Sequence, residues 1–298
     1  MRPVDGKLSP RLGVLLLLCT STVLASNHIS ARLAFNHGAS VATGVSVRAA
    51  FTALVLLVLM RTQGVSFAIP RDLRVPALAA SLLFAAQSYC LYSAVAAIPP
   101  ALALLVFHTS PMLYVLLSWA LGKEAPPWSA IAVMPLALVG LALALNLTPA
   151  HFASDWAAVR TGVAWAFASG VCMAVVYYLN ANALRPLDGR LRTFAMAAVT
   201  AVLVIAGAGV THAQALPSGA AGWAGLTLLA IFYCIAIVAL FYLVPRLNTT
   251  TTVALNFEPI ALLFLGWIFL GFTVTLSQIA GALLTVGAIA WLGLAKRR

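Results

Sequence analysis

Apolar residues occur along this chain in long blocks that are separated by short polar or proline-containing breaks. Each block is close to the length of about 20 residues that an α-helix needs to cross the hydrocarbon core of a bilayer. The pattern therefore predicts an all-α integral membrane protein with ten transmembrane helices. The blocks run over 12–34, 41–60, 75–97, 100–121, 128–146, 161–180, 191–209, 222–244, 251–271 and 277–295.

The composition agrees with this pattern and excludes a soluble fold. The 298 residues are 63% hydrophobic and 8% charged, and the mean hydropathy is +1.05. Soluble globular chains carry roughly 25% charged residues, so this chain cannot cover a water-facing surface. The net charge of +11 comes from basic residues scattered between apolar blocks, which argues against a nucleic-acid partner. The four cysteines show no metal-ligand spacing, and we predict neither a metal nor a cofactor.

The first 26 residues look like a signal peptide, since Arg2, Lys7 and Arg11 precede an apolar run that reaches Ala25. The same apolar block continues to Ala34, however, and is long enough to span the membrane. We therefore expect it to be retained as the first transmembrane helix.

The distribution of basic residues predicts the orientation, because cytoplasmic loops are enriched in lysine and arginine. With the N-terminus in the cytoplasm, 14 of the 17 basic residues fall on the cytoplasmic side, and the other three are Arg32, Arg48 and Arg160. Both termini are then cytoplasmic, which requires an even number of spans. We expect a multi-pass protein of a bacterial-type inner membrane.

The two halves of the chain repeat one another. The stretch FHTSPMLYVLLSWALGKE from Phe107 and the stretch LNFEPIALLFLGWIFLGF from Leu255 align with a register of 148 residues, which pairs Pro111 with Pro259 and Trp119 with Trp267. Each half, 11–146 and 161–295, contains five predicted spans. Because five is odd, the second half must be inserted upside down, and inverted repeats of this kind are typical of transporters.

These features resemble the EamA-domain branch of the drug/metabolite transporter superfamily. The resemblance rests on the five-plus-five topology, the prolines of the fourth and ninth helices, Glu124 after Leu121-Gly122, and Arg48 in Ser46-Val47-Arg48-Ala49. It differs at Phe272, where the family usually has an acidic residue. Members of this branch are mostly exporters of amino acids and related metabolites. Within the branch, the size and the aromatic-rich helices are similar to those of YddG-type aromatic amino acid exporters.

The candidate site consists of polar and aromatic residues within the predicted spans, since ionisable groups inside a membrane are costly and are candidates for function. Glu258 and carbonyls freed by the prolines would hold a substrate ammonium, and neighbouring amide and imidazole groups would hold its carboxylate. Pro111 and Pro259 are the predicted hinges. The predicted substrate-binding residues are Asn27, His28, Tyr89, His108, Ser110, Trp165, Tyr177, Asn256 and Glu258.

Other ionisable residues receive structural interpretations. Arg48 lies outside the paired prolines, on a helix that the resemblance implies to be peripheral, and is expected to make a structural ion or carbonyl contact. Arg32 is expected to extend to the outer interface, and Lys123 and Glu124 to cap a helix or contact a gate.

The sequence thus predicts an alternating-access exporter of small metabolites, most often neutral or aromatic amino acids, whose transport is coupled to protons or uncoupled. A lipophilic-cation efflux carrier remains an alternative, because Glu258 in aromatic surroundings can hold a cation. A channel or sensor is a further alternative, although no filter-like repeat occurs. An intramembrane enzyme is disfavoured, since no predicted span contains Asp and no HExxH or GxSxG motif is present.

Overall fold

The computed structural model of the chain describes residues 9–122, 128–144, 152–243, 246–247, 255 and 257–294, and these residues contain no β-strand. A short 3-10 turn, Arg71–Leu73, precedes the third helix. The helices are α1 Pro10–Asn36, α2 Val41–Thr62, α3 Arg74–Ala97, α4 Pro100–Phe107, α5 Ser110–Ala120, α6 Trp128–Ala144, α7 Phe152–Ala181, α8 Gly189–Thr211, α9 Gly219–Leu243, α10 Glu258–Leu270 and α11 Leu276–Leu294.

Seven helical segments within the described residues are long and apolar enough to cross a membrane, and three shorter apolar helices accompany them. Each of these ten segments overlaps one of the ten apolar blocks of the sequence, so the all-helical membrane fold is confirmed. The number of ten crossings stays a prediction, because the helices 135–144, 258–270 and 276–288 are shorter than a full span.

Helices α1, α2 and α8 begin at a capping side chain, whereas α3, α4, α5 and α10 begin without one. Ser40 accepts a hydrogen bond from the Thr43 amide at 3.1 Å at the start of α2, and Asp188 accepts one from the Arg190 amide at 2.8 Å at the start of α8. Such caps satisfy amide groups that have no partner in the first turn of a helix. Because lipid offers no hydrogen bonds, closed helices are the form in which these apolar blocks can be buried in a membrane.

The main contacts between helices join the two halves of the chain. Helix α1 packs on α9, α3 on α7, α2 on α8, and α6 on α11. Close approach is possible because small residues lie at the crossings: a Cβ atom added at Gly225 of α9 would be 2.7 Å from the Ala34 nitrogen and 2.9 Å from the Ser30 carbonyl of α1.

Helix α2 runs between two ends of the molecule, which we call the Ser40 end and the Arg190 end. At the Ser40 end, the Ser40 amide donates to the Ala215 carbonyl beyond the C-terminus of α8, at 3.0 Å. At the Arg190 end, Arg190 near the start of α8 donates to the side chain of Gln63 at the C-terminus of α2. Helices α2 and α8 are the second helices of their halves, and they run in opposite directions.

The largest hydrophobic cluster lies where α1, α3, α4, α9 and α10 meet, and Tyr92 is fully buried within it. The fourth predicted span is interrupted here: α4 ends at Phe107, and α5 begins at Ser110. Pro111 is the second residue of α5 and Pro259 the second residue of α10. Both prolines therefore lie in the first turn of a helix, where the missing N–H group leaves no hydrogen bond unmade.

Candidate functional site

A histidine and a glutamate from different halves of the chain meet inside the bundle. His28 of α1 has its Nε2 3.3 Å from Oε1 of Glu258, and the two residues are 5% and 9% exposed. Glu258 is the first residue of α10, so the positive end of the helix dipole stabilises its carboxylate. Two ionisable groups buried together in an apolar bundle are costly unless they are paired, and this pair can hold either a proton or a cationic ligand.

Tyr92 of α3 connects this pair to the rest of the site. Its hydroxyl donates to the amide oxygen of Asn27 at 2.9 Å, and its ring is tilted against that of His28 with centroids 5.6 Å apart. Asn27 and His28 are consecutive residues of α1, and both are buried. One tyrosine thus fixes the positions of two residues that the sequence analysis placed in the substrate site.

Arg48 of α2 lies on the Tyr92 ring, and this changes the interpretation of Arg48. Its guanidinium carbon is 4.7 Å from the Tyr92 centroid and 3.9 Å from the Tyr233 centroid, which is the geometry of a cation–π contact. Its Nη2 donates to the Ser88 hydroxyl at 2.9 Å. The side chain of Arg48 therefore reaches the tyrosine that contacts Asn27 and His28, and its contacts are a hydroxyl and two aromatic rings instead of the expected ion or carbonyl.

The polar contacts continue from Arg48 towards α7. Ser88 donates to the side-chain oxygen of Gln87 at 3.3 Å, and Gln87 donates to the Ser169 hydroxyl of α7 at 3.2 Å. All three of these residues are buried. We call the connected set the polar cluster, and it consists of Glu258, His28, Asn27, Tyr92, Arg48, Tyr233, Ser88, Gln87 and Ser169.

The polar cluster joins the two halves of the chain at three places. These are His28 with Glu258, Arg48 with Tyr233, and Gln87 with Ser169. In inverted-repeat transporters, substrate sites lie at the interface of the repeats.

A second group of predicted residues lies at the start of α5. Ser110 is buried, and both Ser110 and Glu258 lie near Tyr177 of α7. The Tyr177 ring also meets the edge of Tyr114, with centroids 6.3 Å apart. Ser110 and Tyr177 therefore lie near Glu258, where α5 packs on α7.

The remaining residues predicted to bind substrate are not part of the polar cluster. His108 bonds the Leu104 carbonyl of its own helical stretch at 2.7 Å and contacts the Phe107 ring. Tyr89 is 38% exposed and lines a separate apolar cavity of about 510 Å³ between α3 and α8. Trp165 is likewise 39% exposed. Asn256, Lys123 and Glu124 lie outside the described residues.

Arg32 contacts the backbone at the C-terminal end of α3. Its Nη1 donates to the carbonyls of Val95, at 2.7 Å, and Ala96, which lie in the last turn of α3. A cation at this place neutralises the negative end of the helix dipole. Arg32 therefore has a structural contact at this helix end, and its position at the outer interface stays a prediction.

Six members of the polar cluster were not among the predicted site residues, and these are Arg48, Tyr92, Tyr233, Ser88, Gln87 and Ser169. For Arg48 a signal existed, because an arginine in the first half of an apolar span is costly and indicates function. Ser88 and Gln87 are common polar residues of membrane helices, and nothing in the sequence shows that they face Arg48. Within the described residues, no three His, Cys, Asp or Glu side chains lie together as metal ligands.

Comparison with known proteins identifies the family. The model of the EamA-like transporter family matches the chain twice, over residues 11–146 and 160–294. A solved structure titled "Crystal structure of protein" aligns over 97% of this chain and 100% of its own chain, with a TM-score of 0.64 and 19% sequence identity, which shows a shared fold. No curated protein matches the chain. Because the two family matches together cover nearly the whole sequence, the chain belongs to the EamA-like transporter family.

Proposed function

We propose that this EamA-family transporter exports amino acids, neutral and aromatic ones included, by alternating access between two inverted repeats. The observation that carries the proposal is the polar cluster, which joins the halves and holds a buried carboxylate, Glu258, and a buried guanidinium, Arg48, in one connected set of contacts around Tyr92. A free amino acid needs an acceptor for its ammonium and donors for its carboxylate. Glu258 supplies the acceptor.

The arrangement of the helices supports the inverted repeat. Helices α2 and α8 run antiparallel, and the contact of α1 with α9 has its counterpart in the contact of α7 with α3. In the mechanism we propose, the halves rock about the polar cluster, and the chain bends before Pro111 and Pro259. We place the protein in a bacterial-type inner membrane with both termini in the cytoplasm, as an uncoupled carrier without enzymatic activity.

The test is counterflow in proteoliposomes, in which vesicles preloaded with unlabelled phenylalanine or threonine take up the labelled amino acid. We expect saturable, trans-stimulated uptake that Glu258→Gln abolishes, because the amide keeps the shape and loses the charge. Asp72→Asn is the matched control, since Asp72 lies on an exposed turn, and its uptake should equal that of the unmodified protein. Uptake that Glu258→Gln leaves unchanged would contradict the proposal.

Two other functions are tested by the same preparation. A channel would give flux that rises linearly with concentration and is not trans-stimulated. Lipophilic-cation efflux is favoured by one observation, the proximity of Glu258 to Tyr92 and Tyr177, because aromatic faces and a carboxylate together bind organic cations. Uptake of a lipophilic cation in place of every amino acid would support that function.

A further inference from the structure

Three buried residues around Tyr92 have nitrogen atoms without a hydrogen-bond partner among the described residues. They are Nδ2 of Asn27, Nδ1 of His28 and Nε of Arg48, and the three residues are at most 5% exposed. Each residue contacts Tyr92 by its ring or its hydroxyl. Since buried polar groups are normally satisfied, three such atoms around one side chain indicate a place that receives a polar ligand. The nitrogens of Asn27 and Arg48 are donors and need acceptor atoms, whereas Nδ1 of His28 donates or accepts according to the protonation of the ring.

The charge of Arg48 also indicates that the site receives a ligand. The ion pairs among the described residues are His28 with Glu258 and Asp188 with Arg190, so Arg48 has no carboxylate partner there. The faces of Tyr92 and Tyr233 attract its positive charge. Ring faces do not accept the in-plane hydrogen bonds of a guanidinium, however, and one such bond, from Nη2 to Ser88, is made.

Arg32 shows what a structural arginine looks like in this chain. Its Nη1 is surrounded by backbone carbonyls of Val95, Ala96 and Ile98, although its Nε is unpartnered like that of Arg48. Those carbonyls carry the negative end of the α3 dipole. Arg48 has no acceptor of comparable charge, and this difference separates the two residues.

We propose that Arg48, together with Asn27, binds the carboxylate of the transported substrate. This inference rests on the proposed function and deepens it, because it restricts the substrates to molecules that bear a carboxylate. The planar fork of an arginine matches a carboxylate, whose two oxygens accept several hydrogen bonds. Tyr92 contacts both residues, since its ring centroid is 4.7 Å from the Arg48 guanidinium carbon and 5.6 Å from the His28 ring centroid, so an ammonium near Glu258 and a carboxylate near Arg48 would both lie beside Tyr92.

The test compares three probes on the purified full chain in detergent, with the midpoint of thermal unfolding as the readout. Phenylalanine carries both charges, phenylacetate carries only the carboxylate, and phenylalaninamide lacks it. We expect phenylalanine and phenylacetate to raise the midpoint and phenylalaninamide to leave it unchanged. Equal effects of phenylalanine and phenylalaninamide, or no effect of any carboxylate, would overturn the inference without need of a variant.

Variants then test whether Arg48 is responsible for the binding of the carboxylate. Arg48→Gln should raise the concentration of phenylalanine needed for half-maximal stabilisation at least tenfold, and Arg48→Lys should raise it less, because lysine keeps the charge and loses the fork. Arg32→Gln is the matched control, which should lower the midpoint without ligand and keep the preference for carboxylates. If Arg48→Gln does not fold, Ser88→Ala, which removes the partner that orients Arg48, should weaken carboxylate binding.

The outcomes separate this inference from the proposed function. Phenylacetate binding that depends on Arg48, without counterflow of any amino acid, would support the carboxylate site and contradict amino acid export. Amino acid counterflow in which Arg48→Gln keeps the preference for phenylalanine over its amide would support export and overturn the role of Arg48.

Discussion

Among the described residues, each hydrogen bond between the halves at the Ser40 end involves at least one backbone group, whereas those at the Arg190 end join two side chains. Ser40 exchanges two hydrogen bonds with Ala215, and Ser218 donates its amide to the His37 carbonyl at 2.7 Å. At the other end, Gln63 accepts from Arg190 and donates to the Tyr242 hydroxyl at 2.6 Å. A cavity of about 340 Å³ lies beside these side chains.

The difference shows which end separates more easily. The bonds at the Ser40 end depend on the backbone of the two loops 37–40 and 212–218 and break only if a loop moves, while long side chains at the Arg190 end can rotate away and bond to water. In the alternating-access mechanism proposed above, the conformation described here is closed at the Ser40 end and has the more easily opened contacts at the Arg190 end. By the predicted orientation, the Arg190 end faces the cytoplasm.

The largest effect is expected from locking the Ser40 end with a disulfide between Ser40→Cys and Ala215→Cys. The Ser40 side chain lies 3.1 Å from the Ala215 amide, within the reach of a disulfide. Oxidation should reduce counterflow to background, because the end can no longer open, and a reductant should restore it. Ser40→Cys alone is the control, and full transport in a cross-linked sample would show that this end does not move.

A smaller effect is expected from crowding the α1–α9 contact near the same end. Gly225→Ala would place a methyl group 2.7 Å from the Ala34 nitrogen, and backbone atoms cannot move aside as a side chain does. Overpacking of this kind costs about 1–3 kcal/mol, measured as a lower midpoint of thermal unfolding. Gly209→Ala in α8 is the matched control, since no atom lies within 4 Å of its added Cβ, and equal midpoints for the two variants would contradict the prediction.

Removing the side-chain contact at the Arg190 end should matter less for stability. Gln63→Ala removes the hydrogen bonds to Arg190 and Tyr242, and each such bond contributes about 1 kcal/mol or less where water can replace it. Thr62→Ala, whose hydroxyl bonds only the Leu59 carbonyl of its own helix, serves as the control. If Gln63→Ala lowered the stability more than Gly225→Ala does, the contacts at the Arg190 end would contribute more to stability than the α1–α9 contact, which would contradict the prediction.

The smallest effect concerns Asp188. The Arg190 guanidinium, 2.8 Å away, holds the pKa of the Asp188 carboxyl below its ordinary value. The pair therefore contributes stability above the unfolded pKa of about 4, and this contribution is lost as the pH falls through the lower folded pKa. Because both side chains are exposed, Asp188→Asn should cost about 0–1 kcal/mol at neutral pH, and the difference in midpoint should vanish on acidification.

Asparagine is a suitable replacement because it is as good a helix cap as aspartate. Asp188→Asn thus keeps the cap of α8 and removes only the charge. A difference in midpoint that persists in acid would show that the cap, and not the ion pair, is responsible.

The helical fold was predictable because lipid leaves an apolar chain few alternatives. His28 and Glu258 could also be named as candidate site residues from the sequence, since each is an ionisable residue within an apolar block. Their pairing was not, because 230 residues of chain separate them and only the packing of α1 against α10 brings them together.

Arg48 and the tyrosines show why the rest of the site could not be read from the sequence. Tyr92 shares a helix face with Ser88, four residues earlier, and Tyr89 lies on another face. In a helix that is apolar on all sides, no polar stripe shows which face points inward. The sequence analysis chose Tyr89, and the structure brings Tyr92 to Arg48 instead.

The contact of α6 with α11 has a consequence for how the two halves diverged. Thr285 donates to the Ala137 carbonyl at 3.3 Å, and these positions are related by the repeat register of 148. Ala288 of α11 packs in one cluster with Val133 of α6, and Gly281 of α11 contacts Gly140 of α6. In the repeat register, Val133 corresponds to Gly281 and Gly140 to Ala288, so each of these two contacts is the counterpart of the other. This is the geometry of a two-fold homodimer interface contained in one polypeptide. In a true homodimer every substitution occurs twice, whereas here one copy carries Ser110 where the other carries Glu258.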